Sequence, residues 1–231
     1  MALPYFFVKD LAGSTVIMDE NASKHIIGVL RMQKGEEVLL TDGKGNKARA
    51  EIINDNRKKC ELKVIETSKE ERPGINIAIG ISLTKNSSRF EWFLEKATEI
   101  GVTEIIPLQC ARTVKEKFRS DRMEQILISA MLQSQQCWMP LLHEPTAFEK
   151  ALELPFEDKM IAHCEEEEKQ QLTSLIHHSN SKLILIGPEG DFTSTEITNA
   201  LQHGFQPVSL GSTRLRTETA GLVAAALLCS H

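Results

Sequence analysis

The sequence predicts an α/β fold: a mostly parallel sheet with helices on both faces, preceded by a small β-barrel domain. Up to about residue 70, short β-type runs alternate with glycine-rich turns. From residue 74 onward, apolar strand runs alternate with helical patterns in five β–α units. The polar stretch 66–74 ends in Pro-Gly and is the expected linker. We therefore expect one domain over residues 1–70 and a second over residues 74–231.

The expected barrel contains three clear strand runs. Residues 36–45 form a strand that leads into a glycine-rich turn, and residues 48–53 and 60–65 supply two more. A short helix is expected over residues 22–31. Small barrels of this kind often carry RNA-binding surfaces, so RNA is a candidate partner.

The second region begins with a period-two strand over residues 75–83. Ser88 and Glu91 have the spacing of a capping box, and Gly101 suits the end of the helix that follows. A second capping box is expected at Thr193 and Glu196. Further strands are expected at 104–109, 160–163, 182–187 and 207–210, and further helices at 121–137, 167–178, 193–204 and from 217 onward.

The composition is that of an ordinary globular protein, with 41% hydrophobic and 26% charged residues. The longest late apolar run, 222–229, is far short of the roughly 20 residues that cross a bilayer. The first ten residues lack the features of a secretory signal, and the five cysteines are scattered singly, without a C-x-x-C pair. These features argue against a membrane protein, a disulfide framework and a structural zinc site. They predict a cytoplasmic protein with free thiols.

The charge distribution leaves nucleic-acid binding open. The formal net charge is −5, but the segment Arg112–Arg122 (RTVKEKFRSDR) is locally basic. Local basic patches bind phosphates whatever the net charge. A solvated loop and helix start is the alternative interpretation of this segment.

Two loops at the carboxyl ends of expected strands are unusual, and ligands bind at these ends in parallel sheets. In Gly187-Pro-Glu-Gly-Asp-Phe192, two glycines and a proline allow close approach of the backbone to a ligand, although a tight turn would have the same composition. The loop LGSTRLRTETA, residues 210–220, offers backbone N–H groups at a helix N-terminus, with Arg214 and Arg216 for an anionic partner. No G-x-G-x-x-G, P-loop or G-x-S-x-G motif occurs.

These loops resemble those of the ribosomal RNA small-subunit methyltransferase E family, which belongs to the SPOUT superfamily. The resemblance extends over nearly the whole chain. It is carried by Ile186-Gly-Pro-Glu-Gly-Asp-Phe192, by Leu210-Gly-x-x-Arg-Leu-Arg-Thr-Glu-Thr-Ala220, by Leu83-Thr-Lys with Glu91 and Lys96-x-Thr-Glu-Ile-Gly101-Val, and by His25 with Val29-Leu-Arg31 and Gly35.

The resemblance implies an enzyme that uses S-adenosylmethionine to methylate N3 of a specific uridine in 16S ribosomal RNA of the small ribosomal subunit. It implies a SPOUT-type domain with a C-terminal trefoil knot and a PUA-like, RNA-binding N-terminal barrel. It also implies a homodimer with the last helix at the interface, and no bound metal.

The resemblance further implies that three loops hold the cofactor, largely through their backbones. The expected cofactor-binding residues are His163, Cys164, Ile186, Gly187, Pro188, Glu189, Gly190, Leu210, Gly211, Leu215, Arg216, Thr217 and Thr219.

Methylation at uridine N3 requires removal or polarisation of a weakly acidic imide proton. Arg214, or alternatively Arg216, is expected to stabilise the developing anion, and Glu218, or alternatively Glu189, to act as the base. A salt-bridged helix cap is the structural interpretation of Arg216 and Glu218. The expected RNA-binding residues are His25, Arg31, Lys85, Arg89, Arg112, Lys115 and Lys117.

Two alternative functions remain at this point. One is a related SPOUT enzyme that methylates a ribose or another base, and the other is a non-catalytic rRNA-binding assembly factor. The intact loop glycines argue against loss of the cofactor, and the N-terminal motif argues against a ribose methylator. Gln136 departs from the resemblance, which leads us to expect an arginine there.

Overall fold

The computed structural model describes residues 3–114, 118–165, 169–175 and 179–230. The chain divides into two compact units. The first comprises the residues up to Arg72 together with Met131–Met139, and the second comprises Pro73–Ala130 and the residues from Pro140 onward. The sequence pattern gave no sign that the segment Met131–Met139 groups with the first unit.

The first unit is built on a five-stranded sheet. Its elements are β1 (Tyr5–Phe7), β2 (Thr15–Ile17), α1 (Glu20–Ser23), a π-helical turn (Lys24–Val29), β3 (Glu37–Thr41), β4 (Asn46–Asn54) and β5 (Glu61–Lys69). The strand order is β1-β3-β4-β5-β2, with β1 and β3 parallel and the other neighbours antiparallel. Alternate side chains such as Val38 and Leu40 are fully buried, because successive residues of a strand face opposite sides.

The second unit is an α/β structure, as predicted. Its strands are β6 (Asn76–Ser82), β7 (Glu104–Gln109), β8 (Leu141–Leu142), β9 (Thr146–Ala147), β10 (Asp158–Ala162), β11 (Gln170–Gln171), β12 (Ser181–Ile186) and β13 (Gln206–Ser209). Its helices are α2 (Ser87–Ile100), α3 (Ser120–Gln133, whose last residues group with the first unit), α4 (Phe148–Leu152), α5 (Ser194–Gln202) and α6 (Thr217–Cys229).

The described strands of this unit pair in parallel, in the order β11-β13-β10-β12-β6-β7-β8, with β9 also beside β7. Strand β12 therefore lies between two strands that precede it in the chain, β6 and β10. Its residues 182–186 are buried, as expected for a central strand covered on both faces. The trefoil knot stays a prediction.

Helix α6 packs directly against β6 and α2. A Cβ atom added to Gly221 would lie 2.7 Å from Cδ1 of Ile81 and 2.8 Å from Cε2 of Phe93. Only glycine allows the helix to approach so closely without displacing these side chains. This contact fixes the position of α6, whose N-terminus borders the candidate site.

Two of the expected helix boundaries are confirmed. Thr193 and Glu196 form a reciprocal capping box at the start of α5, and Gly101 ends α2 with a φ of 100°. The capping box expected at Ser88 and Glu91 is wrong. Asn86 caps α2 instead, since its side chain accepts a hydrogen bond from the Ser88 amide.

The helix expected over 167–178 is also wrong. In its described part, the chain forms β11 and then a 3₁₀ turn over Leu172–Ser174. Gln170 and Gln171 pair with β13, and Leu172 is fully buried. Pairing at the sheet edge and burial of a leucine therefore outweigh the helix propensity of a Glu/Gln-rich stretch.

Two expected boundaries were misplaced. Helix α3 ends at Gln133 rather than at residue 137, and Gln135 has a φ of 57°, outside the right-handed helical region. Strand β5 extends to Lys69 because Asn46 to Asn54 of β4 pair along its length, so part of the expected linker 66–74 belongs to the sheet. Polarity alone indicated a linker, but exposed strands are polar too.

No helix among the described residues is long and apolar enough to span a bilayer. Within the same residues, no group of three or more His, Cys, Asp and Glu side chains is arranged to hold a metal ion.

Candidate functional site

The carboxyl ends of β10, β12 and β13 lie side by side at one edge of the second unit's sheet. Ala162 is in register with Ile186 of β12 and with Val208 of β13. The loops that follow these strands therefore begin next to one another. Such an edge is where open parallel sheets bind ligands.

Two adjoining cavities of about 380 and 320 Å³ lie among these loops. Both volumes fall within the roughly 300–1,000 Å³ that is usual for small-molecule sites. The two cavities share five lining residues: Ala162, Cys164, Arg214, Leu215 and Ala220. A single bent ligand can therefore extend from one cavity into the other.

Most of the residues expected to bind a cofactor line one or both cavities. They are His163, Cys164, Ile186, Gly187, Pro188, Glu189, Leu210, Gly211, Leu215, Arg216 and Thr217. Gly190 and Thr219 line neither of the two. Of the expected catalytic residues, Arg214 lines both cavities and Glu218 lines neither.

The loop after β12 is held in shape by close packing. Gly187 and Pro188 are buried, and a Cβ atom on Gly187 would lie only 3.1 Å from the backbone nitrogen of Phe192. The buried Thr217 hydroxyl at the start of α6 donates to the Gly187 carbonyl at 3.0 Å. The loops after β12 and β13 are thus joined by a buried hydrogen bond.

Glu189 connects this loop to another part of the sheet edge. Its Oε1 accepts a hydrogen bond from the backbone N–H of Lys85, in the loop between β6 and α2, at 3.0 Å. Glu189 is exposed and lines the second cavity, so its carboxylate is accessible beside the space where a ligand would lie.

Asp191 is a residue of the site that the sequence analysis missed. Its φ of 63° lies in the left-handed region, which aspartate adopts more readily than most residues. Its Oδ2 accepts from the Cys164 N–H at 2.7 Å, and its Oδ1 accepts from the Phe192 N–H at 2.8 Å. Asp191 therefore joins the loops after β10 and β12 and adds a negative charge to the second cavity's wall. An aspartate beside a glycine in a turn was the signal available in the sequence.

Lys169 was also missed. Its ammonium donates to the carbonyls of His163 and Glu165, at 2.8 and 2.6 Å, and it lines the first cavity. The side chain of His163 is buried. Lys169 therefore joins two carbonyls of the loop after β10, and it also contributes positive charge to the first cavity.

Cys164 is an exposed residue that lines both cavities. Partial burial raises its pKa, the nearby carboxylate of Asp191 raises it further, and Arg214 acts in the opposite direction. The thiol is consequently protonated at neutral pH and is a poor nucleophile. This favours a role in lining the site over covalent catalysis.

Glu218 pairs with α2 rather than with Arg216. Its side chain is 9% exposed, and its Oε1 lies 3.7 Å from Nε of Arg89. This geometry agrees with Glu218 being part of a salt bridge at the start of a helix, but the partner is Arg89 and not the expected Arg216. It also shows that Arg89, expected to contact RNA, faces a buried carboxylate. The catalytic role of Glu218 and the RNA-binding role of Arg89 stay predictions.

The remaining expected RNA-binding residues are scattered. In the first unit, exposed His25 packs edge-on against Phe6 with ring centroids 5.8 Å apart, and exposed Arg31 has a φ of 57°. In the second unit, Lys85 is exposed, and Arg112 contacts the loop after β12. Lys115 and Lys117 lie outside the described residues. Gln136, in the first unit, donates to the Ser134 hydroxyl at 3.0 Å.

The site offers a specific set of chemical groups. Backbone atoms of three loops can hold a ligand whose shape is complementary to them, and the side chains on the walls carry charges of both signs. Arg214 supplies a positive charge where the two cavities meet. Such an arrangement suits a ligand with both cationic and anionic groups, and it can stabilise negative charge that develops on a reacting partner.

Comparisons with known proteins agree on one family. A model of the RNA methyltransferase domain matches residues 70–229, and a model of the RNA methyltransferase PUA domain matches residues 19–65. The chain is 31% identical over 215 residues to the Ribosomal RNA small subunit methyltransferase E of Bacillus subtilis, an alignment that covers 87% of this chain and 84% of the relative.

Two solved structures are similar over nearly their whole length. A chain described as a probable rRNA-methyltransferase from Porphyromonas gingivalis is 37% identical, with a TM-score of 0.92, and 99% of this chain and 100% of that one are covered. The Ribosomal RNA small subunit methyltransferase E of Neisseria gonorrhoeae, solved with bound S-adenosyl methionine, is 30% identical, with a TM-score of 0.87 and coverage of 97% and 96%.

Proposed function

Because the chain belongs to the ribosomal RNA small subunit methyltransferase E family, we propose that it transfers a methyl group from S-adenosylmethionine to N3 of a uridine in 16S ribosomal RNA. The observation that carries this proposal is the pair of adjoining cavities at the carboxyl ends of β10, β12 and β13. Their residues match the loops on which the resemblance rests.

The residues present fit S-adenosylmethionine. The two cavities provide room for a bent ligand, and the loops offer main-chain atoms for its adenine, ribose and amino-acid groups. Asp191 and Glu189 on the second cavity's wall complement the cofactor's positive charge. The residues proposed to hold it are the expected set that lines the cavities, with Asp191 and Lys169 added. When bound, the cofactor supplies an electrophilic methyl group.

Arg214 is proposed to act on the uridine. It lies where the cavities meet and is exposed, so its guanidinium is accessible to an RNA base. A cation beside the base stabilises the negative charge that develops as the N3 proton leaves. Of the two candidate bases, Glu189 lines the second cavity, whereas Glu218 is buried against Arg89. Accessibility therefore favours Glu189.

RNA binding and dimerisation complete the proposal. The N-terminal domain, with exposed His25 and Arg31, is proposed to bind ribosomal RNA, and exposed Lys85 to contact it beside the site. A homodimer through α6 is supported by the apolar character of that helix, in which Leu222, Val223 and Leu227 are only half-buried. A ribosomal RNA substrate supports a cytoplasmic location, which is part of the same proposal.

Calorimetric titration with S-adenosylmethionine tests the cofactor assignment. We expect saturable binding to the wild-type protein and loss of binding in Ala220→Phe, because the added ring would fill the space shared by the two cavities. Circular dichroism melting curves of both proteins control for folding. A folded wild-type protein that binds no cofactor would contradict the proposal.

A further inference from the structure

Arg112 lies across the loop that follows β12. Its Nη1 donates to the carbonyl of Gly190 at 2.6 Å and to that of Phe192 at 3.2 Å. Nη1 carries two hydrogens, so it can supply one to each carbonyl. Hydrogen bonds from a charged donor are stronger than those between neutral groups. Arg112 therefore holds the carbonyl groups of Gly190 and Phe192, the two residues that flank Asp191.

Gly190 is the residue that admits this side chain. A Cβ atom at position 190 would lie 3.3 Å from Cδ of Arg112, closer than most contacts of this kind. Gly190 lines neither of the two cavities, and its φ is not in the left-handed region. The close approach of the arginine is therefore the contact in the structure that a side chain at position 190 would disturb.

The backbone around Arg112 is anchored independently of its side chain. The N–H of Ala111 donates to Oε1 of Glu196 at 2.8 Å, while Oε2 of Glu196 caps α5. The hydroxyl of Thr113 lies 2.7 Å from that of Ser82 at the end of β6. The guanidinium is thus presented to the loop from an anchored stretch of backbone, so this stretch does not depend on the arginine side chain for its position.

The contacts reach the cavity through Asp191. Asp191 lines the second cavity and holds the Cys164 N–H, which links it to the loop after β10. Its left-handed conformation costs free energy that neighbouring contacts must offset. Arg112 supplies such contacts on both sides of it. A change at Arg112 would therefore alter the second cavity without removing any residue that lines it.

We propose that Arg112 is a positioning residue for the cofactor site, acting through the carbonyls of Gly190 and Phe192, and that its principal role is not to contact phosphates of the RNA. The inference rests on the proposed function, because it concerns the affinity for S-adenosylmethionine. It assigns part of the basic segment Arg112–Arg122 to the cofactor loop.

The test is calorimetric titration of S-adenosylmethionine into the full-length wild-type protein, Arg112→Ala and Arg112→Lys, without RNA. We expect Arg112→Ala to bind about 10-fold more weakly, the effect of losing about one charge-assisted hydrogen bond. The affinity of Arg112→Lys for S-adenosylmethionine should lie between those of the wild type and Arg112→Ala, since lysine keeps the charge but lacks the planar guanidinium. Arg119→Ala removes the same charge from the same segment, and we expect wild-type cofactor affinity for it.

Binding of 16S ribosomal RNA to the same proteins, measured by fluorescence anisotropy, separates the two roles. The inference would be overturned, and the proposed function left intact, if Arg112→Ala bound the cofactor with wild-type affinity but bound RNA more weakly than the wild type. A wild-type protein that binds no cofactor would overturn both. If Arg112→Ala does not fold, Arg112→Lys decides: wild-type cofactor affinity in this variant would overturn the inference.

Discussion

Replacing Thr217 with valine would remove the hydrogen bond that joins the loops after β12 and β13. The Thr217 side chain is buried and donates to the Gly187 carbonyl, which is also buried. Valine has nearly the same shape but no donor, so the carbonyl would remain buried without this partner. Leaving a buried acceptor unsatisfied costs about 1–3 kcal/mol. We therefore expect a loss of about 2 kcal/mol in the free energy of unfolding.

For a protein of this size, each kcal/mol lowers the Tm by about 2–4 °C, so Thr217→Val should melt about 4–8 °C below the wild type. Differential scanning calorimetry without ligand measures this. Thr217→Ser is the matched control: it keeps the hydroxyl and loses a methyl group, at a cost of about 0.8 kcal/mol. Equal Tm values for the two variants, or an unchanged Tm for Thr217→Val, would refute the importance of this hydrogen bond.

Three further predictions follow from the structure. Gly221→Ala should lower the free energy of unfolding by about 1 kcal/mol, measured by urea unfolding, because overpacking against Ile81 outweighs the gain in helix propensity. A variant more stable than the wild type would contradict the close packing of α6 at this position. Iodoacetamide should modify Cys164 slowly at pH 7, because the pKa of the thiol is raised. S-adenosylmethionine should slow this modification further, as followed by peptide mass spectrometry. Equal modification rates with and without S-adenosylmethionine would contradict the placement of the cofactor beside Cys164. The hydrogen-bonded Arg122 guanidinium lowers the pKa of Glu91. The ion pair therefore stabilises the folded protein above the ordinary glutamate pKa, and this stabilisation is lost as the pH falls through the lowered pKa. Arg122→Met should reduce the free energy of unfolding more at pH 7 than at pH 3, and an equal reduction at both pH values would count against the ion pair.

Local sequence patterns predicted much of this fold. The capping box at Thr193, the left-handed Gly101 and the buried run of β12 depend on neighbouring residues, so short windows of sequence contain the necessary information. The helix expected over 167–178 failed for the opposite reason. Its described part is determined by pairing with β13, more than thirty residues away in the chain.

The candidate site was predicted from its loops, and the contacts between those loops were not predicted. The motifs at 186–192 and 210–220 predicted which loops form the site, and the strand register brings the starts of these loops together. The contacts of Asp191, Lys169 and Arg112 could not be derived in the same way. Arg112 and Gly190 are 78 positions apart, and only the order of strands in the sheet brings them into contact. Glu218 likewise pairs with Arg89 of α2, and not with a residue of the segment 210–220.

The central claim is tested most directly by identifying the methylated nucleoside. Small ribosomal subunits from cells that lack this modification would be incubated with the purified protein and isotope-labelled S-adenosylmethionine, and the 16S RNA digested and analysed by mass spectrometry. The account predicts labelled N3-methyluridine with the wild-type protein and at least 100-fold less with Arg214→Ala, as expected when a group that stabilises developing charge is removed. Label on a ribose or another base, or no label from a protein that binds the cofactor, would contradict it.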